Sequence, residues 1–79
     1  MKANLGTVNF YFRVEKKNIA AIKFILEAYE VLGPVSTMDR KAAIIRISPT
    51  PDFAGLLLLV MDDLKRKYKI EEQPAWNSH

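Results

Sequence analysis

The clearest pattern along the chain is a strict alternation of apolar and polar residues near the N-terminus. In a strand, successive side chains point to opposite faces, so every second residue shares a face. The apolar set is Val8, Phe10, Phe12 and Val14, and the polar set is Thr7, Asn9, Tyr11 and Arg13. This pattern predicts a strand over residues 7–14 with one buried face.

After this strand the apolar spacing changes to three and four residues, which is typical of an amphipathic helix. The apolar positions are Ile19, Ile22, Ile25, Leu26 and Tyr29. Asn18 can accept a hydrogen bond from an unpaired N–H at the start of the helix. Gly33 can adopt a left-handed cap conformation, and Pro34 prevents continuation. We therefore expect this helix to end at Gly33.

Two strands that form a hairpin are expected next. Residues 34–38 and the β-branched run 42–48 have strand composition, and the polar segment 39–41 separates them.

A second helix is then predicted from Thr50-Pro51-Asp52, because these residue types are favoured at a helix start. Its inward stripe is Phe53, Leu57, Val60, Met61, Leu64 and Tyr68. A last strand over residues 69–73 follows.

The predicted fold class is α+β, a ferredoxin-like βαββαβ sandwich. Two right-handed crossovers place both helices on one face of a four-stranded antiparallel sheet with the order 4-1-3-2. We assign residues 1–74 to this single domain and residues 75–79 to a loose C-terminal tail. The other sheet face is expected to be uncovered, with Tyr11, Arg13, Ile44 and Arg46 on it.

Composition argues against several classes of function. The 79 residues include no cysteine, so a disulfide framework and a thiolate metal site are excluded. The net charge is +3. The N-terminus lacks a signal-peptide pattern, and the apolar run from Phe53 to Met61 is far shorter than the roughly 20 residues that cross a bilayer. We expect a cytoplasmic protein that does not interact with membranes.

No combination of residues forms a recognisable active site. The only histidine is His79, the last residue. The acidic pairs Asp62-Asp63 and Glu71-Glu72 are adjacent in sequence, so their side chains diverge in a helix or a strand. The glycines are isolated and form no phosphate-binding motif. We predict no catalytic residue, no cofactor and no metal, and therefore a protein that is not an enzyme.

The chain carries more apolar residues than its inward stripes require. Leu58 and Leu59 fall outside the stripe of the second helix, and Phe24 and Val31 fall on the polar side of the first. Such a surplus is typical of a surface that assembles. The predicted interface residues are Tyr11, Arg13, Phe24, Val31, Ile44, Arg46, Leu58 and Leu59. A homodimer is the default, and the uncovered sheet face is modestly favoured as its interface.

The element order resembles that of ACT domains, small βαββαβ modules that often bind amino acids and pair through sheets or helices. More specifically, four stretches resemble a family of short bacterial proteins with no assigned function. They are residues 12–14, 19–30, 35–39 and 45–48. The resemblance implies a domain that stands alone, and it supplies no catalytic residue. The turn at residues 15–18 departs from ACT effector sites because it lacks glycine.

Three functions follow, in order of preference. The first is a non-enzymatic, self-associating regulatory or scaffolding domain. The alternative is an ACT-like module that binds a small effector, such as an amino acid, at a subunit interface. The third is an RNA-binding sheet face, on which Tyr11 stacks a base and Arg46 binds a phosphate. The third strand offers no second aromatic residue, so nucleic acid ranks below self-association.

Overall fold

The computed structural model describes residues 8–74. The elements in chain order are β1 (Phe10–Val14), α1 (Ile19–Glu27), β2 (Val35–Asp39), β3 (Ile44–Ile47), α2 (Ala54–Leu64) and β4 (Ile70–Gln73). Short 3₁₀ turns occupy Lys16–Asn18, Glu30–Leu32 and Pro51–Phe53. The fold class is α+β. The tail predicted at residues 75–79 lies outside the described residues.

The four strands form one antiparallel sheet with the order β2-β3-β1-β4. A sheet has no preferred first edge, so the same order counted from the opposite side is β4-β1-β3-β2. The central strand β1 pairs with β3 on one side and with β4 on the other. The edge strand β2 pairs with β3, and their register shifts between Thr37 and Asp39.

The strand register places the apolar side chains of the central strands on one face. Phe10 lies opposite Ile47, and Phe12 lies opposite Ile45. These residues pack with the inner faces of both helices in a single core, so both helices cover the same sheet face. Members of this core with no exposed surface are Phe12, Ile22, Leu26, Leu32, Ile45, Ile47 and Leu57.

The first helix is shorter than the sequence predicted, because α1 ends at Glu27 and not at Gly33. A 3₁₀ turn follows, and it places Leu32 wholly within the core, whereas Tyr29 is exposed. Gly33 does adopt a positive φ of 80°. Its α-carbon lies against the chain that leaves β3, since an added Cβ would be 2.6 Å from the Ser48 carbonyl oxygen. A close backbone approach therefore explains this glycine.

The predicted capping side chains are used differently. Asn18 makes no capping hydrogen bond, and its Nδ2 donates to Glu15 Oε1 at 3.2 Å. Thr50 also makes no side-chain capping bond. The segment it precedes is a 3₁₀ turn, which has about three residues per turn, so Phe53 is rotated out of the helical stripe and is exposed.

The first strand begins later than the alternation predicted. Val8 precedes β1 and is exposed, although its N–H donates to the Pro49 carbonyl oxygen at 2.9 Å. The ladder with β3 begins at Phe10, opposite Ile47, where β3 ends. Val8 therefore has no opposite residue in the ladder to cover it.

Candidate interaction surface

The outer face of the helix layer carries the two most exposed large apolar side chains. Phe24 on α1 is 78% exposed and Leu59 on α2 is 68% exposed. Each lies two residues, or about 200° around the helix, after a wholly buried residue, Ile22 in α1 and Leu57 in α2. Both side chains therefore point away from the core, as the sequence predicted for residues outside the inward stripes.

Small residues surround these two side chains. Ala20, Ala21 and Ala28 are exposed in and directly after α1, and Gly55 is exposed in α2. A Cβ added at Gly55 would meet no atom within 4 Å outside its own helix backbone. Packing within the chain therefore does not require glycine at this position, although glycine in a helix costs about 1 kcal/mol relative to alanine. We call Ala20, Ala21, Phe24, Gly55 and Leu59 the helix-layer patch.

The other predicted apolar residues on this side are less exposed. Leu58 is adjacent to the helix-layer patch on α2, and it is 41% exposed. Val31 is 46% exposed, but it lies in the 3₁₀ turn after α1. Both lie outside the core, as predicted, and Leu58 extends the patch toward one side of α2.

The two helices run antiparallel. Strands β1 and β2 are both antiparallel to β3, so α1, which joins them, runs against the direction of β1. By the same reasoning α2 runs against β3, which is itself antiparallel to β1. The charges beside the patch differ between the helices, since Lys23 lies beside Phe24, whereas Asp62 and Asp63 follow Leu59 by one turn.

The open sheet face is mostly polar. Across the strands, Arg46 lies between Tyr11 and Ser36. The next row contains Arg13, and its Nε lies 4.0 Å from Glu71 Oε1, with both side chains more than half exposed. The predicted set of Tyr11, Arg13, Ile44 and Arg46 is brought together on this face, but only Tyr11 and Ile44 contribute apolar surface.

Ile44 corrects the prediction of an exposed apolar anchor on this face. It is only 8% exposed, because it lies within a central strand between Arg13 on β1 and Asp39 on β2. Arg46 is half-buried, and its Nε is covered without a hydrogen-bond partner among the described residues. The apolar surface available on the sheet face is therefore small.

A cleft between α1 and the edge strand β2 was not predicted from the sequence. Its volume is about 480 Å³. The lining residues are Lys16, Ile19, Ala20, Lys23, Phe24, Glu27, Thr37 and Arg40. Residues 16, 20, 23 and 27 are spaced as on one helical face, so the sequence could have indicated that they lie together on the α1 side of the cleft. Arg40 and Thr37 belong to the hairpin, and the crossover connection alone brings them to α1.

The hairpin turn holds Arg40 at this cleft. Asp39 Oδ1 accepts a hydrogen bond from the Ala42 N–H at 3.0 Å, and Ala43 has a positive φ of 58°. Both features tighten the turn between β2 and β3. Arg40 occupies the turn itself and is exposed.

The comparison with protein families matches residues 12–67 to Domain of unknown function (DUF4911). The chain belongs to this family. The DUF4911 match runs from β1 to just beyond α2, so it includes the helix-layer patch and every residue of the cleft. The family assignment agrees with the predicted resemblance to proteins without an assigned function. No curated protein and no solved structure matches the chain.

Two further features of the DUF4911 domain concern metals and membranes. Within residues 8–74, no group of three or more histidine, cysteine, aspartate or glutamate side chains is placed to hold a metal ion. In the same part of the chain, no helix combines the length and the apolar character needed to cross a bilayer.

Proposed function

We propose that this DUF4911 domain is a non-enzymatic, self-associating module with a ferredoxin-like arrangement. Its dimer forms through the helix-layer patch, and the dimer serves as a small regulatory or scaffolding unit. The single observation that carries the proposal is the exposure of Phe24 and Leu59 on the outer surface of two helices that pack on the same core.

The energetic argument rests on size and burial. A chain of 79 residues buries only about 60–65% of its unfolded surface, so further burial adds appreciably to its stability. Covering a large apolar side chain contributes roughly 1.5–3 kcal/mol. Phe24 and Leu59 from each of two protomers would therefore make a substantial contribution, and two-fold symmetry is the commonest way to achieve it.

The charges favour a second copy of the chain as the partner. A two-fold axis parallel to the helices places α1 of one protomer over α2 of its partner, in antiparallel orientation. Phe24 then lies over Leu59. Lys23 lies at the same end of this contact as Asp62 and Asp63 of the opposite helix, and Asp63 takes part in neither ion pair found within residues 8–74. Opposite charges thus meet across both halves of the interface, which favours this pairing over helices matched with themselves.

The small residues in the patch support close helix packing. Helix axes approach to 8 Å, the lower end of the usual range of about 8–10 Å, only where the contact side chains are small. Ala20, Ala21 and Gly55 supply such positions beside the two large side chains. A partner helix would also account for glycine at residue 55, where the chain itself leaves open space.

The helix layer is a better interface than the sheet face that the sequence favoured. On the sheet face, Ile44 is already buried and Arg13 is exposed beside Glu71. A partner on that face would have to cover charged groups, and burying charges is costly unless each one is paired.

Charge insertion tests the proposal. Leu59→Glu and Phe24→Glu should each convert the dimer to a monomer, because a carboxylate would be forced into an apolar contact. The matched control is Gln73→Glu, which adds the same charge on the open sheet face, in the row of Tyr11. Light scattering on the three variants measures the outcome. Dissociation by Gln73→Glu, with Leu59→Glu still dimeric, would contradict the proposal and support pairing through the sheet.

A further inference from the structure

The cleft between α1 and β2 has a net positive charge. Lys16, Lys23 and Arg40 line it, with Glu27 as the one acidic residue. Within residues 8–74, the ion pairs join Arg13 to Glu71 and Lys65 to Asp62. None of the three cleft cations takes part in them, so within a single protomer all three are available to an anion.

The cleft also has an apolar wall. Ile19, Ala20 and Phe24 line the α1 side, between the cations. Phe24 therefore presents part of its ring to the cleft as well as to the outer surface of the helix layer. A bound molecule that is purely ionic would leave this wall in contact with water, whereas a molecule with an aromatic or aliphatic body would cover it.

The dimensions suit a small organic molecule. The volume of about 480 Å³ lies within the usual range of about 300–1,000 Å³ for ligand sites. Arg40 can bind two oxygens of a phosphate or carboxylate at once, and the lysines act as point charges. Thr37 adds a hydroxyl from the edge strand.

We propose that this cleft binds a small organic anion, in which a phosphate or carboxylate is attached to an aromatic or aliphatic body. The anionic group contacts Lys16, Lys23 and Arg40, and the apolar body lies against Ile19 and Phe24. This inference goes beyond the proposed dimer. The cleft is built from one chain and opens beside the β2 edge, so it does not require self-association.

Two-dimensional ¹H–¹⁵N NMR titrations of the full chain test the ligand class. The probes are phenyl phosphate and phenylacetate, with inorganic phosphate as the anion alone and benzyl alcohol as the ring alone. We expect at least one of the two aromatic anions to shift the amides of residues 16–27 and 37–40. We expect it to bind at least about tenfold more tightly than either partial probe, since the contacts to charge and to ring combine.

Arginine substitutions test the position. Arg40→Gln should weaken binding of the aromatic anion about fivefold or more, because it removes a charged hydrogen-bonding group worth more than about 1 kcal/mol. Arg66→Gln is the matched control, since Arg66 is also exposed and lies beyond α2, outside the cleft. The spectra of both variants show directly whether the fold is intact.

Leu59→Glu separates this inference from the dimer. Leu59 does not line the cleft, whereas the dimer contact uses Phe24 and Lys23, which do. The variant should therefore lose self-association and bind the aromatic anion at least as tightly as the wild-type chain. Three results would overturn the inference. The first is equal weakening by Arg40→Gln and Arg66→Gln. The second is a set of shifts that extends to residues 65–69, a segment with four basic side chains. The third is that the aromatic anions bind no more tightly than inorganic phosphate.

Discussion

Phe12 contributes an aromatic ring to the core. It lies at the centre of β1, which is paired on both sides, and it has no exposed surface. Phe12→Ala should destabilise the domain by roughly 3–5 kcal/mol, because it removes a buried ring and leaves a cavity. Denaturant unfolding followed by circular dichroism measures this change. A loss below about 1 kcal/mol would show that Phe12 does not pack in the core.

Substitution of glycine by alanine should have opposite effects on stability at Gly33 and Gly55. Gly33→Ala should destabilise the domain by at least about 1–3 kcal/mol, because the residue has a positive φ and its Cβ would collide with a backbone carbonyl. Gly55→Ala should leave stability unchanged or raise it by up to about 1 kcal/mol. Both changes are compared in the monomeric Leu59→Glu background. Equal effects at the two sites would contradict the backbone geometry described at Gly33.

The sequence predicted the interior of each element better than its ends. The buried residues Leu57, Val60, Met61 and Leu64 all belong to the predicted stripe of α2. Tyr29 and Phe53 were wrongly placed in inward stripes, because Tyr29 lies in the bend between α1 and a 3₁₀ turn, and Phe53 lies in the 3₁₀ turn before α2. A spacing of three and four residues predicts which side chains face the core only where the chain is α-helical. A 3₁₀ turn has about three residues per turn, so its side chains depart from that stripe.

Gly55 allows a test of whether α2 packs against a helix of a second protomer. In the wild-type background, Gly55→Ala should weaken self-association even though it favours the helix, because the added methyl group would separate the two helix axes. A three- to tenfold increase in the dimer dissociation constant corresponds to roughly 0.7–1.4 kcal/mol. Sedimentation equilibrium measures that constant. Tighter self-association would show that no helix approaches Gly55 closely.

At the scale of the whole molecule, the sequence predicted which apolar side chains lie outside the core, but not which distant residues come together. The sequence placed Phe24, Val31, Leu58 and Leu59 outside the core, because helical periodicity separates inner from outer positions. It did not predict the cleft, since Arg40 comes near Lys23 only through the crossover between β1 and β2. The sequence also placed Ile44 on the open sheet face. Alternation along a strand predicts which face a side chain occupies, but it does not predict how much of that side chain the neighbouring residues cover.

The most direct test of the central claim is the mass of the wild-type chain in solution. Sedimentation equilibrium at about 100 micromolar should give twice the chain mass of 9.0 kDa, since a dissociation constant well below that concentration leaves mostly dimer. The same measurement on Leu59→Glu should give the mass of one chain, with an unchanged circular dichroism spectrum. A folded wild-type chain that sediments at 9.0 kDa at this concentration would contradict self-association through the helix layer.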